Sequence, residues 1–148
     1  MTAVEPTTGA EDLPAGLALN AQERRVVTRL LAWLRGELGD DLLAVWLYGS
    51  RARREADPTE ADPDRRSDVD LLVVVTPRVD AQGFGWDLRR RLEEFADSEG
   101  DSPVWYSPLV YDGDRLRERR RIRSFFVQEV DRDKVVLHGD SLEGGSWS

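Results

Sequence analysis

Apolar residues follow two different rhythms along this chain. Between Val26 and Leu38 they recur at helical spacing, at Val26, Val27, Leu30, Leu31, Trp33, Leu34 and Leu38, which predicts an amphipathic helix. Asn20 is placed to cap it, Glu23 completes a capping box three residues on, and Leu19 can act as a staple. Gly39 ends it. Two almost wholly apolar runs, 42–48 and 69–76, are too short for buried helices and predict strands; the second is expected to be central, and Pro77 stops it. Between them Gly49-Ser50 breaks the first strand, 51–56 suits the first turns of a short helix, and 57–66, with its prolines and acids, predicts a loop. Trp86, Leu88, Leu92, Phe95 and Ala96 mark a second amphipathic helix. Residues 104–111 predict a strand placed at an edge or bulged, because Pro108 offers no N–H. Leu116, Ile122, Phe125, Phe126 and Val130 suggest one further, less regular helix, and 134–137 a short last strand. Trp33, Trp46, Trp86 and Trp105 fall in these periodic segments and are expected in the core; Trp147 falls in a tail, and His138 reads as structural.

The alternation of helices and strands predicts an α/β (α+β) domain, a mixed sheet of about four strands with helices packed on it. The domain is expected over 19–139, between a flexible N-terminal tail at 1–18, rich in Thr, Pro, Gly and acids, and a polar C-terminal tail at 140–148. At 148 residues, 40% hydrophobic and 34% charged, the chain suits one folded domain. Its net charge of −8 argues against nucleic-acid binding through bulk charge. It contains no cysteine, which excludes a disulfide framework, a thiolate nucleophile and a Cys-based zinc site. No signal-peptide pattern opens the sequence, and the longest apolar run, Leu71 to Val75, is far below the roughly 20 residues of a membrane span. A cytoplasmic protein without a membrane segment is expected.

The candidate chemistry lies at the break between the two apolar strands. In a strand, residues two apart point to the same face, so Asp68 and Asp70 project together while Val69 faces away. Their mutual repulsion is relieved by a divalent cation, and Mg²⁺ commonly takes one or two carboxylates with substrate phosphates. Alone, an Asp-x-Asp pair more often describes a strand end with two solvated acids. Gly49 permits close approach of a ligand to the backbone, amides at a helix start attract phosphate, Ser50 adds a hydroxyl, and Arg51 or Arg53 adds charge. Alone, Gly49-Ser50 more often describes an ordinary turn with a serine cap.

Together, LYGSRARR at 47–54 and SDVDLLVVV at 67–75 resemble the paired motif of the nucleotidyltransferase superfamily that includes DNA polymerase beta, most closely its minimal, MNT-type members. SFFVQEVDRDKVVLHG at 124–139 resembles, more weakly, their C-terminal segment. The resemblance implies that Gly49 and Ser50 hold a nucleoside triphosphate, with ATP the expected one, and that Asp68 and Asp70 bind Mg²⁺. It implies transfer of a nucleoside monophosphate to a hydroxyl with release of pyrophosphate. Minimal members often act beside a helical HEPN-domain toxin as antitoxins that attach AMP to it, so a HEPN-type partner or a homo-oligomer is implied as the source of the acceptor.

Two features depart from the family pattern. The loop between Ser50 and Asp68 is longer than in many minimal members, and Arg54 stands where Gly is common. The third carboxylate that the family usually supplies from a later strand falls near Ser107. Asp112 and Asp114 are its possible substitutes if that strand is bulged. Without one, the alternative is a nucleotide- or partner-binding module with impaired catalysis. The six arginines from Arg115 to Arg123 read equally as a solvated helix face or as a local basic patch.

Overall fold

The computed structural model describes residues 13–55, 57, 59, 62, 65–144 and 147. Residues 1–12 of the expected N-terminal tail, and 145, 146 and 148 of the C-terminal one, lie outside the described set. The capping box forms as the sequence predicts: Asn20 Oδ1 accepts from the Glu23 amide at 2.8 Å and Glu23 Oε1 accepts from the Asn20 amide at 2.9 Å. They open helix α1, Ala21–Leu38. Strand β1 (Leu42–Tyr48), helix α2 (Ser50–Arg53), strand β2 (Val69–Val75) and helix α3 (Ala81–Ser98) follow. Strand β3 (Tyr106–Asp112), helices α4 (Gly113–Arg121) and α5 (Phe125–Asp133) and strand β4 (Val135–Gly139) complete the order. The four strands form one mixed sheet in the order β3-β2-β1-β4. β1 is antiparallel to β2 and β4, whereas β2 and β3 are parallel. Pro108 lies on the edge strand, as the sequence predicts.

The period-two alternation of the strands divides the core in two. Val45, Leu47, Val69, Leu71, Val73 and Val75 face the layer of α1 and α3. Ala44, Trp46, Leu72 and Val74 face the opposite layer, with Leu116 of α4 and Val127 and Val130 of α5. By the same parity Tyr48 and Asp70 belong to the α4–α5 side. The packed domain also reaches beyond 19–139. Leu13 and Ala18 are buried ahead of α1, and Leu142 is buried after β4. There the Asp140 carbonyl accepts from the Trp46 indole at 2.8 Å.

Two expectations are corrected. The single helix expected through 116–130 is two helices, because Arg123 turns left-handed at φ 54° and Ser124 caps α5 by accepting from the Val127 amide. Trp86 is not core but 66% exposed. The inward stripe of α3 is Leu88, Leu92 and Ala96, and a residue two positions before Leu88 lies roughly 200° around the helix from it.

The layer between α1 and the sheet contains a fully buried ion pair. Glu23 and Arg51, both almost without solvent access, meet bidentately at 2.6 and 2.9 Å. Arg51 also donates to the Ala18 carbonyl at 2.9 Å, the Ser67 hydroxyl at 3.1 Å and the Ser67 carbonyl at 2.9 Å. Arg66 bridges from Glu23 Oε2 at 2.9 Å to Asp101 Oδ2 at 2.7 Å, and the Tyr106 hydroxyl donates to the same Asp101 oxygen. Each charge is matched by at least one opposite charge at hydrogen-bond distance, the condition under which burial is tolerated. Among the described residues no helix is long and apolar enough to cross a membrane.

Removing Glu23 leaves Arg51 buried without its carboxylate partner, and removing Arg51 leaves Glu23 with Arg66 alone. Glu23→Ala or Arg51→Ala is expected to cost about 3–5 kcal/mol in equilibrium urea unfolding. The double substitution should cost less than the sum of the singles; additive losses would show that the two charges are not coupled.

Candidate functional site

Antiparallel pairing sets Tyr48, the last residue of β1, opposite Asp70 near the start of β2. The Gly49-Ser50 turn therefore lies directly beside the Asp68-Val69-Asp70 segment. Gly49 has φ 77° and ψ −158°, a combination almost confined to glycine. A Cβ there would stand 2.4 Å from Asp70 Oδ2, so the bare backbone is what allows the carboxylate to lie against this turn. The Gly49 carbonyl accepts from the Ala52 and Arg53 amides at 3.0 and 3.1 Å. No side chain caps α2, so the first amides of that turn meet no capping acceptor.

These elements form one wall of a cleft of about 380 Å³, with Gly49, Ser50, Arg53, Asp68 and Asp70 on its surface. Phe126, Glu129 and Val130 of α5 also line the cleft, and Tyr48 and Ser67 complete it. Five of the six residues expected at a nucleotide and metal site are thus brought together. Arg51 is not among them, because its guanidinium is committed to Glu23 on the α1 side of the sheet. Consecutive helical residues turn by about 100°, so Arg51 and Arg53 leave α2 in nearly opposite directions. Arg53 stays at the cleft, with Nε on Glu55 Oε1 at 2.9 Å and Nη1 3.5 Å from Asp133 Oδ2. An incoming anion competes with these two acids for it.

Asp68 is exposed and Asp70 half-buried. Burial, reinforced by the negative charge of Asp68 and opposed by Arg51 and Arg53, pushes the Asp70 carboxyl from its ordinary 3.8 up to about 6. A divalent cation between the two carboxylates would offset both penalties, so this donor set suits Mg²⁺. Among the described residues no three His, Cys, Asp or Glu side chains converge as a metal-binding group. Asp68 and Asp70 are the two carboxylates this wall would offer such an ion, whose remaining oxygens would come from substrate and water.

The position beside Asp70 on the neighbouring strand is Ser107. Asp112 pairs with Val75, five residues further along the parallel strands, about 16 Å away at ~3.3 Å per residue. Its side chain accepts from the Arg115 amide at 2.8 Å and caps α4. Asp114 is exposed and lies 3.5 Å from Arg117. Neither acid replaces the third carboxylate, because β3 carries no bulge that would bring it back toward Asp70. Glu129, which the motifs do not single out, also lines the cleft. Its signal was the i, i+3, i+4 spacing of Phe126, Glu129 and Val130, which puts an acid on an otherwise apolar helix face.

Much of the arginine cluster is engaged within the fold. Arg120 grips Asp131 with two nitrogens, at 2.9 and 2.8 Å, and donates to the Leu142 carbonyl. Arg115 lies 4.4 Å over the Tyr111 ring and Arg117 4.0 Å over the Trp147 ring. Arg121 pairs with Glu118 at 2.6 Å. His138 accepts from Arg35 Nε at 3.1 Å, a structural contact.

Several solved structures are similar to this chain. A toxin–antitoxin crystallised with AMP-PNP is 20% identical, with 76% of this chain and 73% of that one covered and a TM-score of 0.47. A mutant of the toxin–antitoxin MntA-HpeT is 19% identical, with 76% of this chain and 71% of that one covered and a TM-score of 0.46. A nucleotidyltransferase candidate from Sulfolobus solfataricus is 18% identical, covering 98% of this chain and 100% of its own, with a TM-score of 0.44. No family model and no curated protein matches the sequence.

The raised Asp70 pKa has a direct consequence for stability. The native state holds this proton more tightly than the unfolded chain, so ionising Asp70 weakens the fold as pH rises from 3.8 toward about 6. Asp70→Asn is expected to raise the melting temperature at neutral pH and to leave it nearly unchanged below about pH 4. A lower melting temperature at neutral pH would contradict this. Gly49→Ala is expected to cost about 1–3 kcal/mol through its backbone alone, measured by chemical denaturation, and to turn the Asp70 carboxylate away from the cleft.

Proposed function

We propose that this chain is a nucleotidyltransferase that binds a nucleoside triphosphate, ATP foremost, with Mg²⁺ and transfers its nucleoside monophosphate to a hydroxyl group. The observation that carries this reading is the pairing of Tyr48 with Asp70, which sets the Gly49-Ser50 turn against two acids in one cleft. Ser50 and the open amides of its turn serve as donors to phosphate oxygens, and Arg53 adds a positive charge from the rim. The apolar ring face of Tyr48 suits the nucleoside. Asp68 and Asp70 would hold Mg²⁺, which when bound neutralises phosphate charge and favours attack at the α-phosphorus. The protein's own contribution is position: the turn fixes the phosphates, and the half-buried Asp70 fixes where positive charge is most favoured.

Ser107 beside Asp70 supports a second reading, a nucleotide-binding module that docks to a partner and transfers poorly. In either case the partner we propose, on the motif resemblance, is a helical HEPN-type protein or another copy of the chain, and the location we propose is the cytoplasm. Isothermal titration calorimetry distinguishes both readings from an unrelated cleft. Mg²⁺-dependent binding of ATP is expected, weakened about tenfold or more, ~1.4 kcal/mol, by Asp68→Asn or Asp70→Asn. Absence of Mg²⁺-dependent heat with the wild-type protein would rule out both.

A further inference from the structure

We infer that Glu129 of α5 is the carboxylate that takes the proton from the acceptor hydroxyl, in place of an acid on β3. The inference rests on reading the cleft as a nucleotidyl-transfer site. Such a transfer requires the acceptor oxygen to form a bond to the α-phosphorus while the bond from that phosphorus to the bridging oxygen of the leaving pyrophosphate breaks. The electron pair of the breaking bond leaves with pyrophosphate, and the acceptor proton must pass to a base.

The candidate bases near the phosphate turn are few. Ser107, beside Asp70, is a hydroxyl and a poor base at neutral pH. Asp112 and Asp114 lie at the far end of β3 and in the first turn of α4, where they cap that helix and face Arg117. Asp68 and Asp70 are the residues suited to a cation. Glu129 is the remaining acid among the residues lining the cleft.

Its surroundings differ from those of every other acid on its helix. Asp131 is held by Arg120 at 2.8 Å and Lys134 at 2.6 Å. Asp133 is held by Arg132 at 3.1 Å and Arg53 at 3.5 Å. Glu129 has no hydrogen bond or ion pair among the described residues, although Arg132 further along the helix attracts its charge. It is half-buried between Phe126 and Val130, both of which line the cleft. A carboxylate free of structural partners keeps its lone pairs available for an acceptor proton, whereas its two ion-paired neighbours do not.

Glu129 does not converge with Asp68 and Asp70 into a three-acid metal group. That separates its task from theirs: the aspartates suit the cation and triphosphate, and Glu129 suits the acceptor. Because it projects from α5 and not from the sheet, the acceptor oxygen would approach from the α5 side of the cleft.

The test compares wild type with Glu129→Gln, an isosteric change that keeps hydrogen bonding and removes basicity. Two readouts are needed: Mg²⁺-dependent ATP binding by calorimetry, and transfer of label from α-³²P-ATP to macromolecules of a cell extract. The variant is expected to bind ATP within about twofold of wild type while transfer falls about 100-fold or more, the usual contribution of a general base. Equal transfer by variant and wild type overturns the inference and leaves the transferase reading intact. A variant that loses ATP binding also overturns it, because Glu129 would then belong to the nucleotide or the fold. A wild type that binds ATP but labels nothing overturns both the inference and the transferase reading in favour of the binding module. A wild type that binds no ATP overturns the site itself.

Discussion

The arrangement of the cleft depends on an ion pair outside it. Arg51 stands two residues after Gly49, and its guanidinium grips Glu23 of α1 while also bonding the hydroxyl and carbonyl of Ser67. Ser67 immediately precedes Asp68. One buried side chain therefore ties the end of the Gly49-Ser50 turn to the start of the acidic segment and fixes both to α1. Buried ion pairs contribute little net stability compared with apolar packing, since desolvation offsets most of their attraction. What this one contributes is relative position, set by fixed guanidinium geometry that Lys could not reproduce.

Two buried acids in this fold have opposite fates. Glu23 meets two guanidinium groups and the Asn20 amide, so its charge is matched. Asp70 is half-buried beside another carboxylate, with the nearest guanidinium groups committed to Glu23, Glu55 and Asp133. The sheet separates the two environments. The α1 side is electrically closed, and the α4–α5 side holds a deficit of positive charge at the mouth of the cleft. A deficit of this kind is what a cation and its bound phosphates can fill.

The elements were legible wherever periodicity was strong. Val26 to Leu38 with its capping box, and the two apolar strands, gave α1, β1 and β2, and Pro108 located the edge strand. The pairing of Gly49-Ser50 with Asp68 and Asp70 was legible because both flank the same two strands. The direction of Arg51 was not, since adjacent arginines in one short helix look alike until the helix is set across the sheet. The break at Arg123 and the exposure of Trp86 also escaped a reading of spacing, because composition does not say which helical stripe turns inward. Glu129 was hidden for a related reason: a lone acid on a helix is ordinarily solvated, and only the placement of α5 beside β1 and β2 brings it to the cleft.

The bridge from Arg51 to Ser67 has an evolutionary consequence. It closes the segment between α2 and β2 at its base, so chain inserted there is anchored at both ends by contacts that do not depend on its own sequence. Lengthening such a closed loop costs only a slowly growing entropy, about 0.6 kcal/mol per doubling. The acidic, proline-bearing stretch ahead of Arg66, which is itself held by Glu23 and Asp101, can therefore drift in length and composition without moving the residues on either side of it. Variation there is a place where related chains can acquire different surface contacts while keeping the same cleft.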